Sequence, residues 1–276
     1  MLTIQTNVGS LQAQKNLNGV QKGLNVSFNR LSSGYRINSA ADDAAGLAIS
    51  DSFTAQIRSY SVAERNANDG ISMAQTAEGS LGQMTGLLTR MRELAVQSAN
   101  GSNSSTDRDY LQTEFKQLQS EIGRIQDSTK YDGNALIGAS TSSITFQVGI
   151  SSSTTDQIAV TFGGLAMTTL LSATGEVISG SNSSNALAAI DDIDAALGQV
   201  ETARARFGAV MNRFDTTTSN IQTVRTNLAA ANSRIRDVDV AEESAALSRS
   251  QVLSQAAAAV LAQANQAPQL ALGLLR

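Results

Sequence analysis

Three adjacent carboxylate pairs, Asp42-Asp43, Asp191-Asp192 and Glu242-Glu243, are the first residues that could do chemistry. Neighbouring carboxylates can act as acid and base or help to hold a divalent cation. Either task needs completing groups. The 276-residue chain contains no His and no Cys, so the usual general base near neutral pH, the commonest metal ligand and any thiol nucleophile are missing. Zinc hydrolases, cysteine proteases and His-dependent triads are thereby excluded, and disulfides with them. Each pair is expected at or near a helix start, where negative charge complements the helix dipole. Capping is therefore the reading adopted. Asp51, Asp69 and Glu78 share one long helical segment without clustering, and no phosphate loop, dinucleotide fingerprint or calcium loop is present. No catalytic, cofactor-binding or metal site is expected, and no cofactor.

A net charge of −4 argues against general nucleic-acid binding. Aromatic residues such as Phe115, Phe207 and Phe214 lie along helix seams and read as core. The start of the chain lacks a basic region followed by an apolar core, so no cleaved secretory signal is expected. The longest apolar run, Ala256 to Ala262, falls far short of the roughly 20 residues that span a bilayer.

The elements that position these residues follow from periodicity. Ile4, Val8, Leu11, Leu17, Val20, Leu24, Phe28, Leu31 and Tyr35 step by threes and fours, which predicts an amphipathic helix near the start. Leu247, Leu253, Ala257, Val260 and Ala264 make a second, smaller stripe that stops before Pro268, the only proline. Between them, Ser39-Ala40-Ala41-Asp42 has capping-box spacing and opens a long helix running to a turn at Asn100-Gly101. Thr106-Asp107-Arg108-Asp109 recaps a shorter helix ending near Asp127. The period then changes to two at Ile144, Phe146, Val148 and Ile150, and again at Ile158, Val160 and Phe162, which predicts a β-hairpin with one buried face. Turns or short strands are expected over 163–183. From about Ser184 the helix period returns: Ile193, Leu197, Val200, Phe207, Met211, Phe214, Ile221, Val224, Leu228 and Ile235 hold heptad-like spacing, interrupted at Arg204 and Thr218, which predicts a helix of about 75–80 Å. Asp239, with Glu242 three residues on, starts the last helix.

The fold expected is mainly α: an elongated antiparallel helical bundle or coiled coil, with a small β-hairpin region at one end and paired terminal helices at the other. Residues 1–38 and 238–276 form the terminal part, and 39–237 the helical body, including a hairpin and turn region over 139–183. Terminal apolar stripes could lie on a membrane surface or on partner helices. A membrane-surface helix carries a basic polar face, whereas Arg249 is the only basic residue between Val240 and Ala267. Partner helices are favoured, and neither membrane nor nucleic acid is expected as a partner.

Several long motifs, in order, resemble those of bacterial flagellins. Leu31-Ser32-Ser33-Gly34, Arg36-Ile37-Asn38-Ser39-Ala40 and Asp42-Asp43-Ala44-Ala45-Gly46 are similar to the family's N-terminal signature. Arg65 to Ser72 and Met91 to Asn100 continue it. Gly208 to Phe214, Ser233 to Asp237, and Leu261 to Gln266 followed by Pro268 and Leu274-Leu275-Arg276 match the C-terminal side. The resemblance covers nearly everything except about 130–185, where the large variable outer domains of the family look absent. It implies a filament subunit, not an enzyme, polymerising into a homo-oligomeric helical filament for motility. It further implies terminal helices that are disordered in the monomer and form the inner tube once assembled. Self-assembly would then rest on Ile4, Val8, Leu11, Leu17, Val20, Leu24, Phe28, Leu31, Leu247, Leu253, Val260 and Leu261. Export unfolded through the flagellar secretion channel to the extracellular filament is implied too. So are a chaperone on the C-terminal helix and contacts with hook-associated and cap proteins. The family's contacts with the flagellin-sensing Toll-like receptor of hosts fall on Arg90, Leu94 and Glu114. The alternative is a hook–filament junction protein, which shares the terminal helices.

Overall fold

The computed structural model describes residues 6–165, 177–181 and 183–274, with side chains described through residue 266. Ile4 and most of the expected turn region at 163–183 lie outside the described residues. Among the described residues five α-helices dominate: α1 (Val8–Ser33), α2 (Ala44–Ala99), α3 (Ser105–Ser128), α4 (Ser184–Arg236) and α5 (Val240–Leu274). Four short strands make two antiparallel pairs, β1 (Lys130–Tyr131) with β2 (Asn134–Ala135), and β3 (Ser142–Gln147) with β4 (Gln157–Phe162). The chain divides into two compact units, 1–57 with 226–276, and 58–225. The boundaries fall inside α2 and α4.

In the second unit, α2 packs along α4 through a heptad register. Its buried positions Ala63, Ala67, Gly70, Ala74, Ala77, Leu81, Met84, Leu88, Met91, Ala95 and Ser98 alternate steps of four and three. On α4, Ala186, Ala189, Ile193, Ala196, Val200, Ala203 and Phe207 do the same, and Phe214 and Ile221 continue at sevens. Two side chains per heptad turned to one partner is coiled-coil patterning. Much of the seam is Ala, which lets the backbones approach and leaves room for the rings of Phe207 and Phe214. Ion pairs flank it, Arg204 to Glu78 at 2.7 Å and Arg92 to Asp194 at 2.6 Å, with Arg225 on Glu64.

The hairpin register pairs Ile144 with Val160 and Phe146 with Ile158. Phe146 meets Phe214 edge-on at 5.4 Å between centroids, and Phe162 stacks on Phe207 at 5.5 Å. The period-two reading therefore finds its buried face on α4. It overreaches at Ile150, which is exposed beyond the end of β3. A second hairpin, β1–β2, turns on Asp132 and Gly133, both at positive φ (46° and 79°). This is the conformation that Asp-Gly favours in two-residue turns.

Helix starts differ in detail from the expectation. Asp42 does not cap α2; it accepts from the N–H groups of Asn38 and Ser39 (3.1 and 2.9 Å) and closes a turn before the helix. Asp43 caps instead, accepting from Gly46 N–H at 2.9 Å. The cap of α3 is Ser104, two residues before Thr106, in a reciprocal box with Asp107. Helix α1 ends on Gly34 in the left-handed region at φ 74°, its N–H on Arg30 O. Helix α5 continues in backbone past Pro268 to Leu274, beyond the expected end of its stripe.

Candidate assembly surface

Helices α1 and α5 pack on each other in the first unit. Their half-buried and buried positions again follow heptads: Ser10, Ala13, Leu17, Val20, Leu24, Ser27 and Leu31 on α1, and Leu247, Ser250, Ser254, Ala257, Leu261 and Ala264 on α5. Small and hydroxyl side chains fill much of this seam, which lets the helices approach closely. Polar ties hold both ends of the pair. Asn7 Nδ2 donates to Ala264 O at 2.7 Å and Ser10 Oγ to Asn265 Oδ1 at 2.6 Å. Arg30 meets Glu243 at 3.4 Å. Asn7 also caps α1, taking the N–H of Ser10, and Asp239 caps α5, taking those of Ala241 and Glu242.

The connections between helices are stitched together in the same unit. Arg36 N–H donates to Arg236 O at 2.6 Å and Val238 N–H to Gly34 O at 3.0 Å, around a bridge of Tyr35 to Asp237. The Arg236 guanidinium lies 4.5 Å over the Tyr35 ring and pairs with Asp51 at 3.5 Å. Ile37, next along the chain, is buried.

The structure splits the terminal stripes read from the sequence into two sets. Leu17, Val20, Leu24 and Leu31 of α1 face α5, and Leu247 and Leu261 of α5 face α1. Val8 (64 % exposed), Leu11 (58 %), Phe28 (61 %), Leu253 and Val260 (59 %) do not, and neither do Val26 and Val252. One neighbouring helix covers a narrow two-per-heptad strip, whereas the apolar face of α1 is wider than that strip. Two paired amphipathic helices thus leave large apolar side chains in solvent on both partners. Isolated exposed apolar residues are ordinary, but several along one helix pair mark an interaction surface.

The remaining candidates have structural employment. Asp42 and Asp43 serve the turn and the cap described above, and Glu242 and Glu243 lie in the first turn of α5. Asp191 and Asp192 sit well inside α4 rather than at its start, so the capping reading fails for that pair. Among the described residues no group of His, Cys, Asp or Glu is placed to hold a metal ion, and no helix is long and apolar enough to cross a membrane. Arg90 bridges Glu114 of α3 and Glu93, both at 2.9 Å. Those two carboxylates, Glu114 foremost, hold its guanidinium above the usual value. Leu94 is 1 % exposed, so the receptor contact expected of it is not presented at the surface of this structure.

One functional-looking group escaped the periodic reading. Arg108, at the start of α3, is buried and donates to three main-chain carbonyls: Ser98 at 2.9 Å, Asn100 at 3.2 Å and Gly180 at 3.2 Å. It closes the carbonyl end of α2. A polar residue in the first turn of a helix gives no sign of such burial.

Comparison with known proteins agrees with this architecture. The pattern of the bacterial flagellin N-terminal helical region matches residues 4–141, and that of the bacterial flagellin C-terminal helical region matches 190–275. A flagellin of Halalkalibacterium halodurans is 43 % identical over 279 residues, covering 100 % of both chains. Flagellin D of Vibrio anguillarum is 35 % identical over 374 aligned positions, covering 99 % of both. That alignment is much longer than this chain, so the Vibrio protein carries material with no counterpart here. A solved structure of a putative flagellar hook-associated protein from Vibrio parahaemolyticus shares the fold, with TM-score 0.60 over 71 % of this chain and 100 % of that one, at 14 % identity. With both helical regions matched and a relative aligned from end to end, the chain belongs to the bacterial flagellin family.

Proposed function

We propose that this chain is the structural subunit of a flagellar filament and polymerises through the outward face of its paired terminal helices. The observation that carries the reading is the exposure of Val8, Leu11, Phe28, Leu253 and Val260 on helices that have already used one seam on each other. Burying each such side chain against a neighbouring copy contributes about 1.5–3 kcal/mol, and a head-to-tail contact that does not close builds a helical filament. Residues 1–38 and 238–276 form the assembling part and gain their full order from neighbours; 39–237 form the body. The subunit performs no catalysis. It leaves the cell unfolded through the flagellar secretion channel, a chaperone covering the C-terminal helix beforehand, and meets hook-associated and cap proteins in the extracellular filament.

Host sensing through the flagellin-directed Toll-like receptor uses the exposed Arg90–Glu114 pair, without a contact from the buried Leu94. A receptor reporter that ignores the monomer, or that responds equally to Arg90→Ala, removes this part of the reading.

A hook–filament junction role is the second reading, favoured by the shared fold with the putative hook-associated protein. Electron microscopy of monomer seeded with filament fragments separates the two. Long uniform filaments from the full chain, and none from a variant lacking residues 1–30, support the filament subunit. Growth that stops after a short cap of subunits supports the junction.

A further inference from the structure

Asn-Gly steps occur twice in the sequence, at Asn18-Gly19 and Asn100-Gly101, in opposite backbone settings. Asn18-Gly19 lies inside α1, where the helical main chain engages the Gly19 N–H and holds the peptide away from the preceding side chain. Asn100-Gly101 follows the last residue of α2, and Asn100, Gly101 and Ser102 are all exposed. The N–H of Ser102 donates to Asn100 Oδ1 at 3.2 Å. The N–H of Gly101 has no main-chain partner among the described residues. A Cβ built on Gly101 would meet nothing within 4 Å, so no neighbouring side chain crowds this exposed turn.

We propose that Asn100 is a site of spontaneous covalent modification, closing on the Gly101 nitrogen to a succinimide and opening to aspartate and isoaspartate. The Gly101 nitrogen gives its proton to base and attacks Asn100 Cγ. The new C–N bond closes the ring, the Cγ–Nδ2 bond breaks, and the amide nitrogen takes up a proton and leaves as ammonia. Water then adds to either ring carbonyl and reopens the ring. The sum is amide plus water giving carboxylate and ammonium, with nothing oxidised or reduced. The Ser102 N–H already sits on the oxygen where negative charge develops as the nitrogen adds, the arrangement that an oxyanion hole uses.

The product acts on Arg108. Its guanidinium bonds three uncharged main-chain oxygens, one of them Asn100 O. In the isoaspartate form the main chain runs through the former side chain, and the former main-chain carbonyl becomes a free carboxylate. The modification therefore places an anion beside this buried cation while lengthening the α2–α3 turn.

The test incubates purified full-length protein at mildly alkaline pH, native and in denaturant, with peptide mapping by mass spectrometry and isoaspartyl methyltransferase labelling. Expected are conversion at Asn100 but not Asn18 in the native protein, conversion at both in denaturant, and a rate that rises with pH. Gly101→Ala is sterically free to fold, yet its methyl crowds the attacking nitrogen. It slows conversion by about tenfold, equivalent to ~1.4 kcal/mol on the barrier. Native protein unchanged at Asn100 while the denatured chain converts would overturn the proposal. So would equal native conversion at Asn18, or an undiminished rate in Gly101→Ala with its circular dichroism intact.

Discussion

The ring of Phe214 occupies the space that a side chain on Gly70 would need: its Cζ lies 2.6 Å from the position of a Cβ there. Gly70 is otherwise at a disadvantage in the middle of a helix, by about 1 kcal/mol against Ala. The helix tolerates that because the glycine admits a fully buried aromatic, which in turn meets Phe146 of the hairpin. Gly70→Ala is expected to lower stability despite its better helix propensity, since overpacking costs about 1–3 kcal/mol. Adding Phe214→Leu should recover part of the loss, and the coupling is read from a double-mutant cycle in urea.

Arg108→Ala is expected to be among the most damaging single changes in the second unit. It leaves the carbonyls of Ser98 and Gly180 without this donor at a partly buried site, while Asn100 O keeps the Asn103 N–H. A loss of about 3 kcal/mol is expected. Arg108→Lys keeps the charge but not the planar fork, so it should recover only part. Hydrogen exchange near the end of α2 would rise in both variants, ahead of the rest of the helix.

How much of this was legible depended on which side chains carried each pattern. The β3–β4 hairpin was readable because Ile144, Phe146, Ile158, Val160 and Phe162 are large and alternate cleanly. The long seams were only half visible. Ala63, Ala67, Ala186, Ala196 and Ala203 hold heptad positions as firmly as any Leu, yet small residues barely register in a search for apolar periodicity. The terminal helices show the converse. Their large apolar residues spoke for one stripe, while Ser27, Ser250 and Ser254 form the seam the pair uses and Phe28 and Val260 point away from it. Sequence also misplaced two caps, because Ser39-x-x-Asp42 and Thr106-x-x-Asp109 share the spacing of the true box, Ser104-x-x-Asp107. Only the Ser104 box opens directly into a helix.

Acid should loosen the turns before the core. Asp107 is held below its ordinary value of 3.8 by the Ser104 hydroxyl and then the Ser104 N–H. Asp42 is held below the same value by the Ser39 N–H, the Ser39 hydroxyl and the Asn38 N–H. A carboxyl lowered in the folded state contributes stability that is present above its unfolded value and lost as pH falls through the folded one. Thermal melts should therefore decline as pH drops below about 4. Both groups are exposed, so the decline from each is small. Asp107→Asn should flatten its share of the slope, lowering stability at neutral pH and narrowing the gap to wild type in acid.

The two sets of terminal side chains predict separable failures. Leu24 faces α5 inside the pair, whereas Phe28, one turn on, lies 61 % exposed on the flank of the same helix. Leu24→Asp places a carboxylate in the seam beside a helix whose own contribution there is largely Ser and Ala, and the pair should open. Protease sensitivity of both termini should then rise in the monomer. Phe28→Asp leaves the seam and the Arg30–Glu243 tie in place, so monomer helicity and protection should match wild type. Its polymerisation should nevertheless fail, because the lost burial of about 1.5–3 kcal/mol recurs at every subunit contact and the new charge meets an apolar surface. Light scattering after seeding, with proteolysis of the unseeded monomer, measures both properties on one sample. If Phe28→Asp elongates at the wild-type rate, the exposed flank of α1 is not the assembling surface. The contacts would then have to lie on the face shared by α1 and α5, which assembly would need to open first.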